Sequence, residues 1–392
     1  MKPRVVVDGV SWVGAVDWDR ELFDALIPLP EGTTYNAYLV EGSEKTALID
    51  TVDPRTAAEL DAFLDGVDTL DYVVANHAEQ DHAGQIGAVL ARFPDATLLC
   101  TPKCKGLLVD ELHIEEARVQ AVDDGETVSL GDRTLEFLHM PWVHWPETMV
   151  TYLREDNLLF SCDFFGSHLA TSDLFVKDER MQYEPTKRYF AEIMMPFRNL
   201  IRKHLERLDD YAIDAICPSH GPLYDRPQLV TDWYREWSDE SAGNLVLIPW
   251  ISMHGSTRSM VNHLAGALID RGVRVAPFDL AVADLGRIAT ELVDATTVVI
   301  ATPAMLVGPH PKIAYATFVV NALRPKAKFA SVIGSYGWGN KVVETLTGML
   351  TAFKPELLDP VLIKGAPREE DLAALDKLAD TIAEKHREAG LL

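Results

Sequence analysis

The sequence predicts an α/β protein of two domains, and three observations lead to that expectation. The chain has 392 residues, which is more than a single hydrophobic core usually supports. Short runs of β-forming residues alternate with segments that carry apolar residues at helical spacing. A stretch of small and polar residues, 238–244, interrupts this order, and a more regular alternation follows it. We therefore expect one domain over residues 1–243 and a second over residues 244–392.

In the first half, strand-like runs separated by helical patterns favour sheets covered by helices. The predicted strands are 37–40, 45–50, 72–76, 97–100, 135–138, 150–153 and 158–161. The predicted helices are 56–64, 86–92 and 189–208. In the second half, strand-like runs alternate regularly with helical segments, which is typical of a doubly wound parallel sheet. These strands are predicted at 245–251, 273–278, 297–301, 328–333 and 357–363.

Composition excludes several classes of partner. The chain holds 36 Lys and Arg against 60 Asp and Glu, a net charge of −24 that disfavours nucleic acid and anionic membranes. The N-terminal residues 1–8 contain no apolar signal segment, and apolar runs such as 245–250 are far too short to span a bilayer. We therefore expect a cytoplasmic protein. The cysteines, which lack CxxC spacing and are expected to be buried thiols, are Cys100, Cys104, Cys162 and Cys217.

The strongest local signal is a cluster of metal-binding side chains after the strand-like run 71–75. His77, Glu79, Asp81 and His82 follow that run within a few residues. A loop at the carboxyl end of a strand can direct imidazoles and carboxylates to one point, because the strand fixes the base of the loop. The cluster therefore predicts a metal site.

Three later residues extend this cluster, since His144, Asp163 and His220 also follow strand-like runs. Any one of them alone is more often a turn residue or a surface polar group. Together they make seven nitrogen and oxygen donors from four loops, too many for one zinc ion but suited to a binuclear centre. We expect Asp163 to bridge the two metals.

With these residues in place, residues 1–243 resemble the metallo-β-lactamase-like superfamily, which implies an αββα sandwich. Its hydrolases usually have HxHxDH where this chain has residues 77–82, and here Glu79 replaces a histidine. A hard anionic oxygen stabilises higher charge at the metal, which favours redox-active iron over zinc. This variant is similar to flavodiiron proteins, and the resemblance covers nearly the whole chain.

The resemblance implies a ligand set for two iron ions. One iron would be held by His77, Glu79, His144 and the bridging Asp163, and the other by Asp81, Asp163 and His220. The histidine that matches His82 binds metal in some members and turns away in others, so its role stays open.

Three further residues are candidates for the pocket beside the metals. Many family members have Phe-His where this chain has Phe23-Asp24, so Asp24 would line the pocket differently. His168 follows Asp163 closely, and a buried hydrogen-bonding histidine is the expected role. Tyr189 could reach the pocket, although core packing is the stronger expectation.

In the second half, three loops at strand carboxyl ends predict a site for a phosphorylated, aromatic ligand. The first is rich in hydroxyl groups and opens a helix, and the third offers two aromatic rings for a flavin. The predicted binding residues are Ser252, Met253, His254, Gly255, Ser256, Thr257, Thr302, Pro303, Ala304, Met305, Ser335, Tyr336, Gly337, Trp338 and Gly339.

The alternatives for this site are a dinucleotide fold and a P-loop. GxGxxG is absent after the first strand, and Asn340 stands where a P-loop requires lysine. This half resembles flavodoxin, which implies FMN. His254 takes the place of the family's usual aromatic residue in the phosphate loop, a departure that bears on flavin potential.

The resemblance implies electron flow from a donor to FMN and then to the di-iron site, where dioxygen is reduced to water. Nitric oxide reduction to nitrous oxide is the second possibility. The chain lacks a CxxC pair for a fused rubredoxin, so the donor is expected to be external, either rubredoxin or reduced coenzyme F420. The family also implies a head-to-tail homodimer or a dimer of dimers.

Two other function classes remain open from the sequence. The first is a zinc-dependent hydrolase fused to a flavodoxin domain, against which Glu79 is the main argument. The second is a non-catalytic electron carrier or gas sensor. Metal analysis and turnover measurements separate both from a flavodiiron oxidoreductase.

Overall fold

The computed structural model describes residues 2–392, and the chain forms two compact units. The first unit comprises residues 2–190 and 197–238, and the second comprises residues 191–196 and 239–392. Both units are α/β, so the predicted fold class is confirmed. Among residues 2–392, the structure has no helix of the length and apolarity that crossing a bilayer requires.

The first unit is built from short strands and seven α-helices. Its strands are β1 (Arg4–Val7), β2 (Val10–Trp12), β3 (Ala15–Asp17), β4 (Leu22–Phe23), β5 (Ile27–Pro28), β6 (Thr33–Tyr35), β7 (Tyr38–Glu41), β8 (Thr46–Ile49), β9 (Tyr72–Val74), β10 (Thr97–Cys100), β11 (Val119–Ala121), β12 (Thr127–Ser129), β13 (Thr134–His139), β14 (Met149–Leu153), β15 (Leu158–Cys162) and β16 (Ala215–Pro218). Its helices are α1 (Ala57–Leu64), α2 (Gln80–Ala83), α3 (Ile86–Arg92), α4 (Pro102–Leu112), α5 (Glu179–Tyr189), α6 (Arg198–Leu208) and α7 (Pro227–Ser238).

Two large sheets pack on one core in the first unit. A seven-stranded sheet has the order β1-β2-β7-β8-β9-β10-β11, and a five-stranded sheet has the order β12-β13-β14-β15-β16. Strands of both sheets contribute to one buried apolar cluster, for example Leu48 and Val73 from the first and Phe137 and Phe160 from the second. This is a sheet-on-sheet sandwich with helices attached.

The parallel strand pairs of the two sheets determine where the site forms. β9 runs parallel to β8 and β10, and its carboxyl end leads into the loop that begins at Asn76. β15 runs parallel to β16, so Asp163 and His220, which follow these strands, emerge at the same edge of the second sheet. Loops at such edges hold side chains on a rigid base.

One predicted helix is wrong in its extent. Instead of a single helix over 189–208, α5 ends at Tyr189, a π-helical turn covers Phe190–Met194, a 3-10 turn covers Met195–Phe197, and α6 begins at Arg198. The helix breaks at Pro196, because proline lacks the N–H that a continuous helix would use. Proline also disfavours the helical conformation for the residue before it.

The second unit has a parallel sheet with helices on its faces. Its strands are β17 (Gly243–Trp250), β18 (Arg274–Asp279), β19 (Ala295–Met305), β20 (Gly308–Pro309), β21 (Phe329–Tyr336), β22 (Glu356–Leu357) and β23 (Val361–Lys364). Its helices are α8 (Ser256–Ile269), α9 (Leu285–Leu292), α10 (Pro311–Leu323), α11 (Val342–Met349) and α12 (Glu369–Glu388). The predicted strand 357–363 is in fact two short strands, separated around Pro360.

The strand order of this sheet is β18-β17-β19-β21, with β22 and β23 both pairing with β21. Counted along the chain, this is the order 2-1-3-4-5 of flavodoxin-like folds, whose ligands bind at the carboxyl edge where the order reverses between the first and third strands. Here that point lies between β17 and β19, and the core beneath it is formed by residues such as Val246, Leu264 and Ile333.

Candidate metal centre and ligand cavity

The loop after β9 is held by a buried polar network around Asn76. The backbone N–H and side-chain amide of Asn76 donate to the two carboxylate oxygens of Asp50, at 2.8 and 2.9 Å. Thr151 Oγ1 donates to Asn76 Oδ1 at 2.8 Å, which connects the loop to the second sheet. The position of His77, the next residue, is therefore determined by strands from both sheets.

His77, Glu79 and His144 form the first donor group. Nε2 of His77 lies 3.1 Å from Oε2 of Glu79, and Nε2 of His144 lies 3.2 Å from the same oxygen. With one oxygen of Asp163, the ligand atoms of these residues all lie within 4.8 Å of one another. The structure thus brings together the first predicted ligand set.

Asp81, His82 and His220 form the second donor group, whose ligand atoms also lie within 4.8 Å of one another. Nε2 of His220 is 3.1 Å from Oδ2 of Asp81, and Nε2 of His82 is 3.3 Å from Oδ1 of Asp81. The short helix α2 turns both Asp81 and His82 inward, and both are nearly fully buried. His82, whose role the sequence left open, faces this group.

Asp163 lies between the two groups and offers one oxygen to each. Its Oδ2 lies 3.5 Å from Nε2 of both His77 and His144. Its Oδ1 lies 3.0 Å from Nε2 of His82 and 3.5 Å from Nε2 of His220. This is the geometry that a carboxylate bridging two metal ions requires.

The electrostatics of the cluster favour positive charge at its centre. Burial opposes protonation of His77 and His144, but the hydrogen bonds that they donate to the surrounding carboxylates outweigh it and raise the pKa of each imidazole to about 10. Burial would raise the pKa of Glu79 and of Asp163, yet the imidazoles beside them lower both. A metal cation held by these nitrogens would replace the protons and would neutralise the same carboxylates.

Unsatisfied polar atoms agree with a pair of metal ions. Within residues 2–392, both carboxylate oxygens of Asp81, both ring nitrogens of His82 and Oδ2 of Asp163 are buried without a hydrogen bond. Orphaned buried donors and acceptors are rare unless something else coordinates them. Imidazoles and carboxylates are donors that suit iron. Burial raises the pKa of the nearby Cys162 thiol, so this thiol stays protonated and does not form the thiolate that binds metal ions.

Sequence reasoning missed the residues behind the ligands. Nδ1 of His77 donates to Oε1 of Glu147 at 2.6 Å, and Nδ1 of His220 donates to the backbone carbonyl of Thr34 at 2.7 Å. Each bond fixes the tautomer and points Nε2 into the cluster. Glu147 lies three residues after His144, but a glutamate at this spacing in a loop has no signature that the sequence reveals.

Of the three predicted pocket residues, only Asp24 lines the cavity beside the metal cluster, whereas His168 and Tyr189 lie elsewhere around the cluster. Asp24 lines a cavity of about 340 Å³ together with Glu79 and Asp81, and burial, followed by the charges of these two carboxylates, raises the pKa of Asp24. His168 lies beside the second donor group, is bonded through Nδ1 to Thr33 Oγ1 at 2.9 Å, and does not line that cavity. The hydroxyl of Tyr189 donates to Asp163 Oδ1 at 2.8 Å.

In the second unit, the carboxyl edge of the sheet carries a cavity of about 340 Å³. It lies where the strand order reverses, and α8 begins at its side after Gly255, whose φ is +92°. Of the predicted residues, the cavity brings together Ser252, Met253, His254, Ser256, Thr257, Pro303, Ala304, Ser335, Tyr336, Gly337 and Trp338. The hydroxyl of Thr257 is buried without a hydrogen bond among the described residues, as expected of a group that awaits a ligand.

Four predicted residues do not line this cavity: Gly255, Thr302, Met305 and Gly339. The cavity is also lined by Gly365 and Ala366, which sequence reasoning missed. Both follow β23 directly, so their place after a strand was a signal that could have identified them.

Comparison with known proteins places these features in context. A family model described as ODP family beta lactamase matches residues 33–221. A nitric oxide reductase of Moorella thermoacetica is 36% identical over 97% of this chain and 98% of its own length. A coenzyme F420H(2) oxidase of Methanothermobacter marburgensis is 32% identical over 88% of this chain and 89% of its own length.

Solved structures agree with these relatives. The rubredoxin oxygen:oxidoreductase of Desulfovibrio gigas matches with a TM-score of 0.95 and 31% identity, over 100% of both chains. The flavodiiron protein of Giardia intestinalis matches with a TM-score of 0.89 and 30% identity, over 98% of both chains.

The fold and the paired donor groups thus define an oxidoreductase with a metallo-β-lactamase-like unit and a flavodoxin-like unit. The chain belongs to the flavodiiron family, also called type A flavoproteins. Both the resemblance and the enzyme class predicted from the sequence are confirmed.

Proposed function

We propose that this protein passes electrons from an external donor through FMN to a di-iron centre that reduces dioxygen to water, nitric oxide to nitrous oxide, or both. The observation that carries the proposal is the position of Asp163, whose two oxygens face two separate groups of imidazole and carboxylate donors. Its domains would be a di-iron domain over residues 1–243 and an FMN domain over residues 244–392.

The ligand assignment follows the two donor groups. One iron would be held by His77, Glu79, His144 and Asp163, and the other by Asp81, His82, His220 and Asp163. Glu79 favours iron over zinc at the first position, because an anionic oxygen stabilises the ferric charge better than a neutral imidazole does. A reduced flavin and a diferrous pair supply two electrons each, and four electrons are what dioxygen needs to become water.

The side chains around the centre orient the metal ligands and form the wall of the adjacent cavity. Glu147 and the carbonyl of Thr34 fix the imidazoles of His77 and His220 with Nε2 directed inward. The Trp145 ring packs edge-on against His77, with a centroid distance of 4.9 Å, and forms part of the cavity wall. The carboxyl of Asp24 lies at the same cavity, where burial and then the charges of Glu79 and Asp81 raise its pKa.

FMN would occupy the cavity at the edge of the second sheet. Ser252, Ser256 and Thr257 stand at the N-terminus of α8, where hydroxyl and backbone N–H groups suit a phosphate dianion. Tyr336 is the last residue of β21 and Trp338 lies on the loop that follows it, and both offer aromatic faces for the isoalloxazine ring.

The electron donor is proposed to be external, and relatives suggest two kinds. One relative is a coenzyme F420H(2) oxidase, and one solved neighbour is a rubredoxin oxygen:oxidoreductase. Purified protein supplied with each reduced donor under dioxygen, and separately under nitric oxide, tests the proposal. We expect two irons and one FMN per chain and donor-dependent consumption of at least one gas. Zinc in place of iron, with hydrolytic turnover, would support the alternative of a zinc hydrolase fused to a flavodoxin.

We also propose a head-to-tail homodimer, alone or within a dimer of dimers, in which FMN of one subunit serves the irons of the other. Two inactive variants test this, one altered at Glu79 and one altered at Thr257. Refolded together, they should recover about one quarter of wild-type activity, because half of the dimers are mixed and each mixed dimer has one intact pair of sites. No recovery, with mixed dimers demonstrated, would contradict the arrangement.

A further inference from the structure

The two donor groups have the same composition. Differences among the residues that contact these ligands therefore indicate how the two metal sites differ. The first has one carboxylate of its own, Glu79, and two imidazoles. The second has one carboxylate of its own, Asp81, and two imidazoles. Both share Asp163. Two metal ions bound here would therefore have similar ligands, so the groups that contact these ligands without touching the metal can make the two ions unequal.

Behind the first group stands a buried carboxylate. The side chains of His77 and Glu147 are both 0% exposed, and Nδ1 of His77 lies 2.6 Å from Oε1 of Glu147. Ala78 N also donates to Oε1, at 3.2 Å, and Thr101 Oγ1 donates to the backbone carbonyl of Glu147 at 2.8 Å. The other carboxylate oxygen, Oε2, makes no hydrogen bond among residues 2–392. The charge of Glu147 is thus directed at His77.

The hydrogen-bond partners behind the second group are neutral or withdraw charge. Nδ1 of His220 donates to the Thr34 carbonyl, and Nδ1 of His82 has no hydrogen bond among the described residues. Tyr189 donates at 2.8 Å to Oδ1 of Asp163, the oxygen that faces the second group. A hydrogen bond donated to a carboxylate oxygen reduces the negative charge that this oxygen offers to a metal.

From these contacts we infer that Glu147 is a positioning residue that makes the two iron sites unequal, so that the ferric ion of the mixed-valent pair lies at the first donor group. An imidazole backed by a carboxylate is a stronger donor than one backed by a carbonyl, and stronger donors stabilise Fe(III) over Fe(II). Removing one electron from the diferrous pair then leaves Fe(III) beside His77 and Fe(II) beside His220. This inference rests on the proposed function, since it requires iron at both groups.

The test is a redox titration of the full-length protein loaded with iron and FMN, followed by the electron paramagnetic resonance signal of the mixed-valent pair. Glu147→Gln keeps an oxygen that accepts from Nδ1 of His77 but removes the charge. We expect two irons per chain to be retained, the lower of the two iron couples to move to higher potential, and the mixed-valent signal to persist over a narrower range. Glu147→Asp, which keeps the charge, should restore the range at least in part.

Asp50→Asn is the matched control. Asp50 is a buried carboxylate that supports the same loop through Asn76, but it has no hydrogen bond to an imidazole among the described residues. Its charge also acts on the imidazole of His82 and, less strongly, on that of His77, so Asp50→Asn should raise both iron couples without narrowing the potential range of the mixed-valent signal. An unchanged lower couple in Glu147→Gln, or an equal narrowing of the mixed-valent range in Asp50→Asn, would overturn the inference.

The iron content of the three variants also tests the inference. Iron lost from Glu147→Gln but kept in Glu147→Asp and Asp50→Asn, with FMN bound in all three, supports the role of the charge. Iron lost from Asp50→Asn as well assigns the effect to the loop and overturns the inference. A wild-type protein that binds no iron would instead be a failure of the proposed function, so the two failures are distinguishable.

Discussion

The hydroxyl of Tyr189 donates a 2.8 Å hydrogen bond to Oδ1 of Asp163, and both side chains are buried. Tyr189 is the last residue of α5, whereas Asp163 follows β15, so the bond joins a helix end to a strand end. Burial, followed by the negative charge of Asp163, raises the pKa of Tyr189 well above its usual value, so the phenol stays protonated and remains a donor. It acts on the one carboxylate that both donor groups share.

Replacing Tyr189 by phenylalanine should therefore change the centre without dismantling it. We expect iron content to be retained, the higher of the two iron couples to move to lower potential, and stability to fall by about 1–3 kcal/mol, the usual effect of removing a hydrogen bond to a charged group. Redox titration and thermal unfolding measure both effects. Tyr234→Phe is the control, because it removes an equally buried hydroxyl that has no hydrogen bond to a carboxylate among residues 2–392.

Exchange of Glu79 for histidine tests the choice of metal. The variant would have the HxHxDH pattern of zinc hydrolases and one negative charge fewer beside the first metal. We expect a higher zinc-to-iron ratio on purification from medium that contains both metals, and gas reduction at least about tenfold slower, equivalent to ~1.4 kcal/mol. Metal analysis and oxygen uptake measure these outcomes. Unchanged iron content and turnover would show that Glu79 does not determine the metal.

The sequence predicted the fold class and most strands, and the reasons are local. β10 and α3 match the predicted ranges because each is a short, mainly apolar run with a proline two residues after its end, Pro102 and Pro94. The donors were found because each follows a strand. Glu147 was missed because its role depends on a contact with His77, 70 residues earlier in the chain. The break near Pro196 was missed because apolar spacing continues through it.

A substitution at Gly255 tests whether the cavity of the second unit binds FMN. It precedes α8 with φ of +92°, and a Cβ added there would meet no atom within 4 Å among the described residues, so the penalty of alanine is conformational rather than steric. That penalty is about 1–2 kcal/mol. If the loop of the apoprotein relaxes to relieve this strain and FMN requires the strained conformation, Gly255→Ala should bind FMN roughly 5–30-fold more weakly when the flavin is titrated back into apoprotein. Gly339→Ala is the control, since Gly339 also has no atom near its Cβ, has no positive φ and lies outside the cavity lining. Equal affinities for the two variants would contradict the prediction.

The burial of His386 leads to a prediction of how the stability of the second unit depends on pH. It lies on α12 and is 0% exposed, with Nδ1 2.8 Å from Asn244 Oδ1 and Nε2 2.9 Å from Thr297 Oγ1. Burial lowers its pKa from 6.5 to about 4. As the pH falls from about 6.5 to about 4, the unfolded chain therefore binds a proton that the folded chain does not, and stability decreases by up to about 3 kcal/mol. Above that pH range the contribution of His386 to stability does not change with pH.

Release of FMN fluorescence during urea unfolding at pH 7 and pH 5 measures this decrease in stability. His386→Leu should be less stable at pH 7, because it leaves two buried partners unpaired, but it should lose less stability than the wild type between the two pH values. An equal loss in both proteins would exclude His386 as the cause.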